Sequence, residues 1–239
     1  MMCDLDLINH LDYNSLMIKR NFLSFVAIFF LCSLSFAQSI TTAASYFKTV
    51  SEYYGSIKDF EVDLNLTMGR RQQVGKVSFK RPNLLRIDFS VPDTQVVLFD
   101  GDMLTIYLPE SSAVLQQSVT SESRGMALAT PEGLALMSRY YSIQYEEGQQ
   151  AVPLDDESDE QVIKLVLRRR NTTEAFSVIR LSINASSRLI RRIHATTPRG
   201  EVYVFNFQNY KLNQDIHDQR FRYTSPSSAN VYNNFLLSN

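Results

Sequence analysis

The spacing of apolar residues changes near residue 59, from the period of a helix to the period of a strand. Between Ser39 and Tyr54 apolar side chains recur at intervals of three and four residues, which predicts an amphipathic helix. Ser39 or Thr41 is expected to cap the start of this helix, and Gly55 its end. From Asp59 onward apolar and polar residues alternate, which is typical of a β-strand with one buried face.

The rest of the pattern predicts about eleven strands and a second helix. Six strands with short connections come first, and this spacing indicates an antiparallel meander rather than strand–helix–strand units. A helix is then expected to begin at Thr130-Pro131-Glu132, because Thr can cap a helix and Pro is favoured at its first position. The acidic segment 146–160 is predicted to be a solvated loop. The expected strands are 59–68, 74–80, 84–90, 94–99, 103–108, 113–119, 141–145, 161–168, 174–183, 188–196 and 201–209.

Several predicted strands are apolar on both faces, and this bears on what the sheet encloses. The stretches 96–99 and 202–207 show little alternation, so both of their faces are expected to meet apolar groups. The two predicted helices are short and would not fill a large, curved sheet. An apolar ligand cavity is therefore one interpretation, and a fully packed core is the other. The pattern alone does not separate them.

The first 37 residues are predicted to be a cleaved secretory signal peptide. A short basic stretch precedes an uncharged apolar run at 22–34, and Ser35-Phe36-Ala37 supplies the small residues of a cleavage site. A membrane anchor is less favoured, since the run is shorter than the ~20 residues that cross a bilayer. Lipid modification of Cys32 is also disfavoured, because bulky residues precede it. Met17 is the expected true start, so residues 1–16 would be an overlong reading frame.

Cleavage after Ala37 would leave one domain at 38–224 and a polar tail at 225–239. The tail is predicted to be flexible and without a further strand. Both cysteines, Cys3 and Cys32, would be lost with the signal peptide, so neither a disulfide nor a cysteine-based metal site is expected.

Charge and motifs exclude several classes of function. Lys and Arg number 24 while Asp and Glu number 25, so no net field attracts nucleic acid. The sequence carries no motif of a familiar enzyme class, and we expect no catalysis, no cofactor and no metal. Two basic clusters, at 168–170 and 188–192, are open to two interpretations. They are solvated strand ends, or they form a docking surface for an acidic partner.

One segment is more specific than the overall pattern. Arg81 directly precedes Pro82, so it is held extended where its strand must end, at the rim of the sheet. There its guanidinium either bonds helix carbonyls or is a rim charge in solvent. The segment 75–89 reads GKVSFKRPNLLRIDF, and the hairpin Asp100-Gly101-Asp102 is followed by Ile106-Tyr107-Leu108-Pro109. Together these residues resemble the LolA-type periplasmic carriers of outer-membrane lipoproteins. The chain departs from that pattern in having no Trp and no cysteines in the predicted exported part.

The resemblance implies a mainly β (α+β) fold. It would be a half-open antiparallel β-barrel of about eleven strands, closed by a short helical lid over an apolar cavity. Arg81 matches the family arginine that bonds the lid, here residues 40–54 and 126–137, and would act as a lid latch. The residues expected to line the lipid cavity and lid are Phe47, Val50, Phe79, Leu85, Ile106, Met126, Leu134 and Met137.

The resemblance also implies a function and its partners. Such a periplasmic carrier, expected to be a monomer, would bind the acyl chains of lipoproteins released by an inner-membrane ABC transporter. It would deliver them to the outer membrane, to an acceptor lipoprotein if one is present. The alternative is a module of the same fold that senses lipid or lipoprotein. A sensor would normally be joined to a membrane span or a second domain, and no such segment is evident in the sequence.

Overall fold

The computed structural model describes residues 41–119 and 131–235. The predicted signal peptide and Met126 lie outside these residues. The described part contains two α-helices, α1 (Ala43–Ser56) and α2 (Pro131–Tyr140). The predicted start of the second helix is confirmed. The expected caps of the first are wrong, because Thr42 caps it by accepting a 3.1 Å hydrogen bond from the Ser45 N–H and the helix continues past Gly55.

The described residues also form thirteen strands in one sheet. Their order across the sheet is β13-β6-β5-β4-β3-β2-β1-β12-β11-β10-β9-β7, with β8 also pairing with β9. The strands are β1 (Asp59–Met68), β2 (Arg71–Lys80), β3 (Leu84–Val91), β4 (Asp93–Phe99), β5 (Met103–Leu108), β6 (Ala113–Ser118), β7 (Tyr141–Tyr145), β8 (Val152–Pro153), β9 (Gln161–Arg169), β10 (Val178–Asn184), β11 (Ile190–Thr196), β12 (Val202–Leu212) and β13 (Asn230–Asn233).

The sheet confirms the mainly β prediction, including the six-strand antiparallel meander of β1–β6. It is open rather than closed, because β7 and β13 form separate edges. Two strands were not predicted. One is β8, inside the expected acidic loop. The other is β13, in a tail interpreted as lacking a strand, and that interpretation is wrong.

The last strand pairs in parallel with β6, from Asn230 beside Ala113 to Asn233 beside Gln116. The Asn230 N–H also donates a 2.8 Å hydrogen bond to the Ser112 carbonyl. Four residues with two asparagines give too short an alternation to be seen as a strand in sequence. The strand forms because β6 offers an unpaired edge to it.

The two faces of the sheet are covered in different ways. We call the face that meets the helices the inner face, and the opposite one the outer face. On β1, for example, Phe60, Val62 and Leu64 are at most 3% exposed and belong to the buried core beneath the helices. The neighbouring Glu61 and Asp63 point to the outer face, as strand alternation requires.

On the outer face of β1–β3 lies the segment 213–223, which we call the strap. The buried carboxylate of Asp59 accepts hydrogen bonds from the Gln214 N–H at 2.7 Å and the Asp215 N–H at 3.1 Å. Phe221, which ends a 3-10 turn in the strap, is 3% exposed. The strap is thus fixed at one end by a carboxylate and near the other by a buried ring.

A network of charged groups holds the strap between these two points. Arg86 donates to the carbonyls of Arg220 and Arg222, and it pairs with Asp88 at 2.7 Å. Arg220 in turn pairs with Asp88 and donates to the Ser78 hydroxyl. Burial by itself would raise the pKa of the Asp88 carboxyl. The hydrogen bonds and positive charges of Arg86 and Arg220 outweigh burial and lower that pKa below its ordinary value.

Asp88→Asn should therefore destabilise the protein at neutral pH, by about 1–2 kcal/mol in the free energy of unfolding. A lowered carboxyl pKa adds stability above the ordinary value of about 3.9, and this stability is lost as the pH falls through the folded-state value. The difference between wild type and variant should thus be constant near pH 7 and shrink below about pH 4. Urea denaturation at several pH values measures it.

The matched control is Asp93→Asn, an exposed carboxylate on β4. It should change the free energy of unfolding by less than about 0.5 kcal/mol at every pH. Equal effects of the two substitutions would contradict the assigned role of Asp88.

Candidate functional site

The helices and the inner face of the sheet enclose an apolar cluster. Phe47 and Val50 of α1, Leu134 and Met137 of α2, and Phe79 of β2 are each at most 3% exposed and share this cluster. The structure therefore brings together five of the residues expected in the lid and cavity. Whether they bind lipid stays a prediction.

The apolar surface extends beyond the fully buried cluster, onto β3, β4 and β5. Leu85 is partly buried and packs against the cluster. The strand register places Val97 beside Ile87 on one side and Ile106 on the other, so all three share the inner face. Each of them is only half-buried. In the described part of the chain, the inner face therefore retains apolar surface that the two helices do not fully cover.

Two tyrosines fix the C-terminal end of α1 to the sheet. The Tyr54 hydroxyl accepts a 2.9 Å hydrogen bond from the Ile190 N–H, and the Tyr210 hydroxyl donates to the Ile190 carbonyl at 2.9 Å. The two hydroxyls are 3.3 Å apart. Since Tyr210 gives its proton to the carbonyl, Tyr54 is the donor between them. Every polar group in this buried network is thus satisfied.

Burial also keeps both phenols protonated. It raises the pKa of Tyr54 to about 12 and that of Tyr210 well above its ordinary value of 10.0. The network therefore keeps its donors over the whole physiological range.

A β-bulge in β12 makes this network possible. Phe207 pairs with Leu64 and Leu212 with Phe60, and the register shifts between these two pairs. One extra residue at this point reverses the alternation. As a result Tyr210 joins Phe207 on the inner face, although three positions separate them. Asn209, with φ of 57°, takes up the left-handed conformation of the bulge.

The N-terminal end of α1 has its own tie to the sheet. The Tyr145 hydroxyl, on the edge strand β7, donates a 3.0 Å hydrogen bond to the Thr41 carbonyl. Between the two ends, the Tyr46 hydroxyl is buried without a hydrogen-bond partner among the described residues. Polar contacts therefore hold α1 at its ends, while its centre rests on apolar packing.

Arg81 occupies the predicted rim position. Its main-chain N–H donates to the Lys58 carbonyl at 2.9 Å, beside the C-terminal end of α1. Its side chain is exposed and makes no hydrogen bond or ion pair in the described residues, α1 included. The other predicted part of the lid, from Met126, begins outside them. The latch role of Arg81 therefore stays a prediction.

Sequence reasoning missed a different arginine of the same motif. Arg86, five residues after Arg81, makes the bonds that hold the strap. The available signal was its spacing from Asp88, since residues two apart on a strand share a face.

A second concavity lies between the strap and the outer face of β4–β6. It has a volume of about 600 Å³, and its lining includes Leu98, Thr105, Phe221 and Arg222 together with three aspartates. It lies on the opposite face of the sheet from the apolar cluster, and its charged lining does not suit an acyl chain.

The described residues were compared with the requirements of a metal site and of a membrane span. Across residues 41–119 and 131–235, no three His, Cys, Asp or Glu side chains are grouped so that they could hold a metal ion. In the same residues no helix is both long and apolar enough to cross a bilayer.

Comparison with known proteins decides the family. Residues 65–224 match the family described as outer membrane lipoprotein carrier protein LolA. The chain belongs to the LolA family. The match begins within β1 and ends just after the strap, so the region of family likeness includes the strap as well as the meander.

Individual relatives of the LolA family agree with this assignment. An outer-membrane lipoprotein carrier protein from Haemophilus ducreyi is 34% identical over 126 residues, which cover 51% of this chain and 57% of that protein. One from Pseudomonas paraeruginosa is 22% identical, covering 67% of this chain and 72% of the relative. The chain thus spans little more than half the length of the first relative.

A solved structure supports the fold. An uncharacterized conserved protein from Thermus thermophilus superimposes with a TM-score of 0.53 at 14% identity. The superposition covers 80% of this chain and 98% of that protein.

Tyr54→Phe tests the anchor of α1. It leaves the buried Ile190 N–H without an acceptor, so the free energy of unfolding should fall by about 1–3 kcal/mol. Amide hydrogen exchange in the last turn of α1 should also become faster. Tyr53→Phe is the control, because the neighbouring Tyr53 hydroxyl makes no hydrogen bond within the described chain. If both variants unfold alike in urea, the Tyr54 network does not anchor the helix.

Proposed function

We propose that the protein is a periplasmic carrier that binds the acyl chains of lipoproteins released from the inner membrane and delivers them to the outer membrane. The observation that carries this proposal is the incompletely covered apolar inner face, in a chain of the LolA family. The relatives from Haemophilus and Pseudomonas are both named outer-membrane lipoprotein carrier protein. The proposed partners are acylated lipoproteins, an inner-membrane ABC transporter and, where one exists, an outer-membrane acceptor lipoprotein.

The energetics of burial explain why such a carrier needs a lid. Burying one methylene contributes about 0.8 kcal/mol, so a 16-carbon acyl chain gains roughly 12 kcal/mol on leaving water. A site that bound the chain with all of this free energy could not release it. In the empty state α1 and α2 cover part of the same apolar surface, so an incoming chain must displace them or share it. That competition lowers the net affinity and allows the cargo to move on.

The apolar surface is tested by Ile106→Glu. A carboxylate on the inner face should exclude an acyl chain, since burying an unpaired charge is strongly unfavourable. Because Ile106 is only half-buried, the fold should survive, which a thermal melt can check. Native mass spectrometry of protein purified from the periplasm should then show at least about tenfold less acylated cargo than wild type.

Val202→Glu is the matched control for this substitution. Val202 is 37% exposed on β12, and its register with Thr196 places it on the outer face. Its cargo should equal that of wild type. If wild type carries no acylated ligand, or Ile106→Glu carries the normal amount, the proposal is wrong. A lipoprotein that stays bound to wild type and never reaches the outer membrane would favour the sensor.

Arg81 is proposed to favour the closed, empty state by bonding lid carbonyls. A contact present in only one of two states shifts their balance by its own free energy. Its loss should therefore favour the loaded carrier. Its exposed position near the C-terminal end of α1 leaves the guanidinium free to make such a bond.

Arg81→Leu should load normally and deliver poorly. The fraction of carrier recovered in complex with lipoprotein, in a strain depleted of the native protein, should rise several-fold, as expected for one charge-assisted hydrogen bond. Arg71→Leu is the control, because Arg71 is also exposed but lies at the start of β2, whereas Arg81 directly follows the end of that strand. Equal fractions in both variants, with normal delivery, would leave Arg81 as a solvent-facing charge.

A further inference from the structure

The outer face of β9–β11 carries a row of positive charges. The register places Lys164, Ser182 and Arg192 side by side on three neighbouring strands, with Arg180 in the next row. Arg191 adds a further guanidinium beside a register shift in β11. No two of these cations lie directly opposite each other in the register, but like charges gathered on one face still repel, so the face is more stable when anions neutralise it. Arg191 and Arg192, from the basic cluster seen in the sequence at 188–192, belong to this surface.

The acidic loop, residues 146–160, supplies those anions. It contains seven carboxylates and no basic residue. Four of the carboxylates each pair with a different cation of the face, at distances of 2.6–3.0 Å. The pairs are Glu146–Arg180, Glu147–Lys164, Asp155–Arg192 and Glu160–Arg191.

Four ion pairs are the main side-chain contacts that hold this loop on the face. None of residues 146–160 is fully buried, and among its apolar side chains only Val152 and Leu154 are half-buried. Its main-chain ties are the two-residue pairing of β8 with β9 and a few isolated hydrogen bonds. Partly exposed ion pairs are individually weak and are screened by salt. The loop can therefore leave the face without disturbing the buried core.

We propose that the outer face of β9–β11 is a docking surface for an acidic, extended segment of a partner protein, and that the acidic loop is its built-in competitor. The loop itself shows which ligand chemistry the face accepts, namely several carboxylates presented along a flexible chain. A partner segment of the same kind must displace the loop before it binds. Its apparent affinity is reduced by the fraction of time that the loop is closed. This surface lies opposite the proposed acyl site and does not depend on lipid.

Two matched variants test whether the ion pairs of the acidic loop, rather than its overall negative charge, keep a partner from the face. We call the ion-paired acidic loop the cover. The cover variant, E146Q/E147Q/D155N, removes three carboxylates that pair with the face. The control variant, D156N/E157Q/D159N, removes three from the same loop whose side chains make no ion pair or hydrogen bond in the described residues. Both variants keep Glu160, which also accepts a hydrogen bond from Asn184.

The probe is a fluorescein-labelled synthetic peptide with the sequence of residues 146–160. By fluorescence anisotropy at low salt, the cover variant should bind it at least about tenfold more tightly than wild type, as expected for a face closed nine-tenths of the time or more. The control variant should bind like wild type. Adding R180Q/R192Q to the cover variant should abolish the gain. In wild type, hydrogen exchange across 146–160 should become faster as salt is raised.

Four results would overturn the proposal. The first is no gain in the cover variant, and the second is an equal gain in the control variant. The third is a cover variant that binds phosphatidylglycerol vesicles but not the peptide, since the face would then serve a lipid surface. A salt-independent rate of exchange in the wild-type loop would also refute the electrostatic cover, even if the cover variant folded poorly.

Discussion

The apolar inner face of the sheet has to be kept from water, and most of the other elements help to cover it. On the half that contains β1 and β9–β12, side chains such as Leu165, Ile179 and Ile193 are at most 1% exposed beneath the helices. On β3–β5 much of the same face is only half-buried, including Leu85, Ile87, Val97 and Ile106. Two short helices cannot cover a sheet of this width. This incompletely covered apolar surface is the one on which the proposed binding of acyl chains depends.

Apolar burial and polar bonds have separate tasks in this fold. Burying one large side chain contributes about 1.5–3 kcal/mol, whereas a typical hydrogen bond adds only about 0.5–1.5 kcal/mol net. Stability therefore comes mainly from the inner cluster. The bonds decide where each covering segment lies. Tyr54 and Tyr210 position α1, Arg86 positions the strap, and carboxylates position the acidic loop.

The sequence was most informative where apolar spacing was long and regular. The meander of β1–β6 and the start of α2 at Pro131 were predicted because alternation and helix caps are local signals. The grouping of Phe47, Val50 and Leu134 with Phe79 followed from the same periodicity combined with the family resemblance. The motif around Arg81 indicated the family because its residues are contiguous in the chain and need no tertiary contact to be recognised.

Features that depend on pairing between distant parts of the chain could not be predicted from the sequence. The bulge at Asn209 reverses the alternation of β12, so sequence spacing alone would have placed Tyr210 on the wrong face. The edge strand β13 forms only because β6 is free to receive it. The carboxylates of segment 146–160 looked like solvated charge, since their partners are on strands that follow them in the chain.

The pairing of β1 with β12 also determines when this protein can fold. Phe60 lies beside Leu212, and Asn230 lies beside Ala113, so both halves of the sheet are completed by residues that are made well after their partners. A chain that emerges from its N-terminus can form the meander early, but its inner face stays uncovered on one side until β12 arrives. Contacts of such large sequence separation slow folding. A nascent chain with this much apolar surface is most prone to aggregate between the formation of the meander and the arrival of β12. A holding chaperone would be most useful during that time.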